Sequence, residues 1–205
     1  MPNPFDTIIP VFPNIIHKLD IENFKEIQES VIDYVYDEEN NDPIGVFKSN
    51  QGGWQSKPCY TRHDNIIKSI LDKEFDKHFS NPEFFKRNFK MSCDNAWINI
   101  NRNNDSNRLH HHPNCHLAGV FWIKVPNDCD SGDIQFPNPS DFVEANLLEI
   151  YSDNLRDKFK CWDVCCFKPK DGRIIIFPSH LMHEVRVNRS RQDRISVSFN
   201  IKIEL

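Results

Sequence analysis

Residues Pro169 to Asn200 read P-K-D-G-R-I-I-I-F-P-S-H-L-M-H-E-V-R-V-N-R-S-R-Q-D-R-I-S-V-S-F-N. Short apolar, β-branched runs separated by turn residues predict three strands here, over Arg173–Phe177, His183–Val187 and Arg194–Ile203. Side chains alternate along a strand, so Arg194 and Ser196 share one face of the last one. Ile195, Val197 and Phe199 fall on the other face, which marks this strand as central rather than edge. The same pattern extends upstream to Met91, with strands expected at Ser92–Asn101, Arg108–His112, His116–Val125, Asp133–Phe136 and Val164–Lys168. Eight short strands predict a mainly β protein in which two facing sheets form a jelly roll with a ligand mouth at one end. A helical period is expected only around Phe142 to Tyr151, within an insert from Pro137 to Asp163.

Upstream of Met91 the period becomes helical. Ile21, Phe24, Ile27, Val31 and Val35 recur at helical spacing after a candidate cap at Asp20, and Ile66, Ile67, Ile70, Leu71, Phe75 and Phe79 repeat the pattern. Both stripes are expected to pack on the β core. Between them, S-N-Q-G-G-W-Q-S (Ser49 to Ser56) reads as a structured loop, either a packed turn or a substrate-side lid. With 205 residues the economical organisation is a single domain over 1–205, in which 1–90 is a helical support packed on a β core at 91–205.

Composition narrows the function classes. Hydrophobic residues make up 39% of the chain and 16 Phe accompany 4 Trp, the balance of a folded globule. A net charge of −5 offers no basic field to a phosphate backbone, so nucleic acid is not an expected partner. No apolar run is long enough to span a bilayer and no membrane partner is expected. Seven cysteines without a C-x-x-C pair, two of them adjacent at Cys165 and Cys166, suit reduced thiols and a cytoplasmic protein. The sequons at Asn104 and Asn188 then read as coincidental.

The chemistry concentrates in R-L-H-H-H-P-N-C-H, Arg108 to His116, which holds four of the nine histidines. On a strand, His110 and His112 point one way and His111 the other, so His110 and His112 can share a metal. His180 and His183 are candidates for a third ligand from the C-terminal half. Imidazoles favour a first-row transition metal over calcium or magnesium, which prefer oxygen. Arg194 with Ser196, on the next strand and expected to lie antiparallel beside that of His183, would place a guanidinium fork and a hydroxyl beside that metal as a carboxylate receptor. Asn99 and Phe121 are expected to line the pocket.

These residues carry a resemblance. The central H-H-H, then P-K-D-G-R-I-I-I-F-P-S-x-L-x-H and R-I-S-V-S-F-N, resemble the Fe(II)/2-oxoglutarate oxygenase superfamily along the second half of the chain. S-N-Q-G-G-W-Q-S, N-A-W-I-N-I-N, H-x-H-P-N and L-A-G-V-F-W-I-K-V-P resemble more narrowly a little-characterised oxygenase group of bacteria and their phages, from about Phe12 to Leu205. The resemblance implies a double-stranded β-helix, cupin-like, that uses Fe(II), 2-oxoglutarate as cosubstrate, and O2. It also implies hydroxylation of a small-molecule or peptide substrate with release of succinate and CO2. By it, His110 matches the first iron ligand, His183 the distal one, and Arg194 with Ser196 the cosubstrate's outer carboxylate site, with Asn99 nearby. Where the superfamily usually has Asp or Glu, this chain has His112. Three completions of the iron site stay open: His112 itself, water as in the aspartyl/asparaginyl hydroxylase branch, or a halide as in the superfamily's halogenases. A second register, His112-x-Asn114, would orphan His110. The competing readings are a non-catalytic metal-binding cupin-like protein and a zinc-stabilised interaction module, the latter needing Cys115 or His116 as a further ligand.

Overall fold

The computed structural model describes residues 4–60, 65–86, 89–127, 132–140 and 147–204. All eight expected strands are present, and the segment before Lys90 adds three short ones to its helices. In chain order the elements are β1 (His17–Asp20), α1 (Lys25–Asn41), β2 (Asn50–Gln51), β3 (Trp54–Gln55), α2 (Ile66–Phe79), β4 (Lys90–Asn101), β5 (Ser106–His110), β6 (Leu117–Lys124), β7 (Ile134–Pro137), α3 (Asp153–Phe159), β8 (Val164–Phe167), β9 (Arg173–Pro178), β10 (His183–Val185) and β11 (Arg194–Glu204). They form a six-stranded sheet, β1-β9-β6-β11-β4-β3, facing a five-stranded sheet, β2-β5-β10-β7-β8. Every strand pair is antiparallel, the arrangement of a jelly roll.

β11 is central, paired along its length with β4 and β6. Ile195, Val197, Phe199 and Ile201 point to the outer face of the large sheet, where they pack with Val31 and Val35 of α1 and Ile67, Leu71 and Phe75 of α2. The opposite face of β11 turns toward the small sheet. Phe121 lies in the helix-side core against Phe24 and does not line the pocket, contrary to expectation, because odd positions of β6 face the helices.

Three further expectations are corrected. Asp20 does not cap α1; it ends β1, where Arg173 donates to both of its carboxylate oxygens and Lys170 to one. The helix starts later, at Lys25, after Asn23 breaks the backbone with a positive φ of 54°. Asn65 does cap α2, its Oδ1 accepting from the amides of Ile67 and Lys68 at 2.9 and 3.4 Å. Next, the helical period expected around Phe142 to Tyr151 reduces to a 3-10 turn at Leu147–Ile150, residues 142–146 lying outside the described residues, while α3 was not anticipated. Finally, β10 and β11 are not neighbours: they belong to opposite sheets.

The Ser49–Ser56 segment is a packed corner. β2 pairs with β5 of the small sheet and β3 with β4 of the large one, so the double glycine carries the chain between sheets. At Gly53, φ is 66° and a Cβ would fall 2.4 Å from the Ile100 carbonyl oxygen, which only glycine avoids. Trp54 is buried there and its Nε1 donates to the Asp42 carbonyl at 2.8 Å. Among the described residues no helix is long and apolar enough to cross a membrane.

Candidate metal centre

His110 and His183 face each other as directly paired residues of β5 and β10. Between this pair and the next, Val185 with Asn107, two steps on β10 correspond to three on β5. The extra residue is a β-bulge, and its effect is specific. Strict alternation would send Asn107 and His110 to opposite faces; the bulge lets both line the space between the sheets while Arg108 and Leu109 stay exposed. His112 sits beyond the end of β5, not on a strand as expected. Its amide donates to the Ser179 carbonyl at 3.0 Å, which turns the chain back inward.

The imidazoles of His110, His112 and His183 converge, with one nitrogen from each lying within 4.8 Å of the others. Ring centroids are 4.3 Å apart for His110 and His183, 5.2 Å for His110 and His112, and 5.1 Å for His112 and His183. In each ring Nδ1 meets an oxygen acceptor: the Arg108 carbonyl at 2.7 Å for His110, Asn200 Oδ1 at 2.6 Å for His112, and the Leu181 carbonyl at 2.9 Å for His183. A backbone carbonyl oxygen can only accept, so at His110 and His183 the proton resides on Nδ1 and the Nε2 lone pair remains for a metal. Burial pushes all three pKa values below the ordinary histidine range, His112 to about 4 and His183 to about 3, the His110 charge adding to the effect at His183. All three are therefore neutral at pH 7, as ligands must be. Three neutral imidazoles without a carboxylate fit a first-row transition metal and not calcium or magnesium.

The cavity around them is lined also by Trp97, Asn99, Trp122, Phe177, Ser196 and Ser198. Its free volume is about 30 Å³, room for one or two water-sized groups. Asn99 donates from Nδ2 to Ser198 Oγ at 3.1 Å, while its buried Oδ1 has no hydrogen-bond partner. Arg194 lies two residues along β11 from Ser196, fully buried and outside the cavity wall. Its Nη1 donates to the carbonyls of Gly132 and Arg186 at 3.1 and 3.2 Å. Gly132 has a φ of 87°, and a Cβ there would come within 2.3 Å of Arg194 Nη1, so this glycine makes room for the guanidinium.

Of the expected site residues, the fold brings His110, His112, His183, Asn99 and Ser196 to one cavity and leaves Arg194 at its margin. His111 and His180 are exposed and stand apart from the cluster. Cys115 and His116 do not join it either: Cys115 Sγ donates to the His112 carbonyl at 3.5 Å and His116 Nδ1 accepts from the Ile203 amide at 3.0 Å. Trp97, Ser198 and Asn200 went unassigned in the sequence. The signal was there in the alternation, since Ser198 and Asn200 continue the face of Ser196, and Trp97 that of Asn99. A larger groove, about 900 Å³ between α2 and the start of β4, includes none of the three histidines.

The profile of a family described as "Putative 2OG-Fe(II) oxygenase" matches residues 95–200. No curated protein sequence matches the chain significantly. Among solved structures, a viral collagen prolyl hydroxylase from Paramecium Bursaria Chlorella virus-1, in complex with 2OG, superposes with a TM-score of 0.58 at 12% identity over 91% of this chain and 94% of that one. HygX from Streptomyces hygroscopicus, with nickel, 2-oxoglutarate and hygromycin B bound, gives 0.60 at 9% identity over 91% and 82%. A prolyl-4-hydroxylase from Pseudomonas putida gives 0.55 at 9% identity over 91% of both chains. At these identities the likeness is one of fold.

Proposed function

The chain belongs to the 2OG-Fe(II) oxygenase family whose profile it matches, and on that premise we propose that it is a non-haem Fe(II)- and 2-oxoglutarate-dependent dioxygenase hydroxylating a small-molecule or peptide substrate. The observation that carries this reading is the convergence of three neutral imidazoles inside the sandwich, each with Nδ1 bonded to oxygen. His110, His112 and His183 would hold Fe(II) and leave positions for the cosubstrate and O2. When bound, that centre supplies the oxidising power: one atom of O2 ends in succinate as CO2 leaves, and the other in the hydroxylated product.

The chain's own contribution is orientation and dryness. Ser196 offers a hydroxyl to the cosubstrate's outer carboxylate, and Arg194, on the same face of β11, offers the countercharge. Asn99 Oδ1, buried without a hydrogen-bond partner, is an acceptor that a ligand or water would satisfy. Trp97, Trp122 and Phe177 wall the histidines and limit bulk water. The free volume of about 30 Å³ admits an ion but not a dicarboxylate, so cosubstrate binding must widen the cavity.

Anaerobic titration with Fe(II) and then 2-oxoglutarate tests this. A visible charge-transfer band is expected, followed by succinate on admission of oxygen. His110→Ala and His183→Ala should abolish both. Iron binding without a band, and without succinate, would leave a metal-binding protein that is no oxygenase.

A further inference from the structure

The three imidazoles are not held alike. His110 and His183 each bond through Nδ1 to a backbone carbonyl two residues earlier, at Arg108 and Leu181, so each ring is set by its own stretch of chain. His112 lies past the end of β5 and has no such local acceptor. Its ring is gripped from the opposite sheet: Trp97 of β4 stacks on it with centroids 5.5 Å apart and planes 29° from parallel, and Asn200 of β11 meets Nδ1 at 2.6 Å. We propose that Asn200 is a positioning residue for the metal centre, its side-chain carbonyl holding the His112 proton on Nδ1 and so making Nε2 a ligand. The proposal rests on the reading of the trio as a metal site and deepens it.

The chemistry of the amide makes this a choice with two outcomes. With Oδ1 toward the ring, His112 carries its proton on Nδ1 and presents a lone pair to the cavity. With Nδ2 toward the ring, the amide would donate to Nδ1, and the proton would move to Nε2, where it blocks coordination. The stacking indole fixes the plane of the ring but is indifferent to where its proton sits, so of these two contacts it is Asn200 that discriminates. Its placement is specific as well. Asn200 pairs with Asn95 of β4 and Ala118 of β6, on the face of Ser196 and Ser198, and a register shift follows immediately, between Asn200 and Ile201. The extra residue of that shift is on β4, between Asn95 and Cys93, so Asn200 keeps its inward face by ordinary alternation along β11.

Two measurements on the full chain test the assignment. In the apoprotein, long-range 1H–15N correlation of the histidine rings should show His112 protonated on Nδ1. Asn200→Leu and Asn200→Ala should abolish that preference, whereas Asn200→Asp, which keeps an acceptor, should restore it. Binding of Co(II), read by its visible absorption, should weaken roughly 10- to 100-fold in the Leu and Ala variants and recover in Asp. A side chain that merely supports the fold would lower the melting temperature while leaving tautomer and Co(II) affinity unchanged. That result, or a wild-type His112 protonated on Nε2, overturns the proposal. If wild type shows the expected tautomer yet binds no Co(II), the metal reading fails and the control of His112 by Asn200 stands, so the two are separable.

Discussion

The large sheet and the small sheet differ in length, cover and content. β4, β11 and β6 of the large sheet run 12, 11 and 8 residues, and their outer face is closed by α1 and α2. The strands of the small sheet run only two to five residues, yet they carry His110 and His183 as a direct pair. Apolar burial concentrates in the first, polar convergence in the second. The large sheet reaches across with Ser196, Ser198 and Asn200, residues on the one face of β11 that is not needed for the helix-side core. A stiff, well-covered sheet thus supplies the fixed reference against which a thin sheet can hold ligands, which spares the ligand strands from carrying stability themselves.

The division can be broken by substitution. The largest effect belongs to Phe199→Ala, which empties a fully buried site contacting Phe75 at 5.1 Å and should cost about 3–5 kcal/mol in urea unfolding. Metal affinity measured well below the melting temperature should stay near wild type, and a parallel loss of both would show that the two sheets are not separable. Arg194→Ala comes next: losing a charge-assisted contact to carboxylate should raise the 2-oxoglutarate requirement by about 1.5–3 kcal/mol, roughly 10- to 150-fold. Iron should bind that variant as before, which equilibrium metal titration would establish.

A pH titration sharpens the contrast from the other side. The folded-state pKa values of His110, His112 and His183 lie below the ordinary 6.5, so on acidification the unfolded chain takes up protons first. Their contribution is complete above about pH 6.5 and lost as pH falls toward the folded values of about 4 and about 3 for His112 and His183. At pH 5 the metal-free protein should have lost about 2 kcal/mol for each such imidazole, read from the fall in chemical-denaturation midpoint between pH 7 and 5. Bound metal should blunt that fall. The smallest effect is expected at His111 and His180, both exposed and outside the cluster: alanine at either should change stability by no more than about 0.5 kcal/mol and leave Co(II) affinity unaltered.

Much of the candidate site was legible because it is written in residue type. Three histidines and the serine of an Arg-x-Ser meet around one cavity, with Asn99 beside them. What stayed hidden was geometric. Phe121 was misplaced because an uninterrupted apolar run, L-A-G-V-F-W-I-K, hides which parity faces the helices. The Asp20 cap failed because a tertiary partner, Arg173, outcompetes a helix terminus for the same carboxylate. The sheet membership of β10 and β11 depends on where the chain crosses the sandwich, which no local pattern records. Asn200 escaped notice because an asparagine near a strand end carries no chemical signature until its partner is known.

The bulge in β5 bears on how this gene can change. Loops usually absorb inserted or deleted codons, whereas a one-residue change in a strand of ordinary alternation turns the side chains beyond it to the other face. Here the extra residue lets Asn107 and His110, three steps apart on β5, both face inward against two steps on β10. Removing one codon at Arg108 or Leu109 would restore a regular ladder, put Asn107 and His110 two residues apart, and leave both facing inward. Losing both codons would differ, because Asn107 and His110 would then be adjacent and alternation would turn them to opposite faces: the strand has room for one deletion here and not for two.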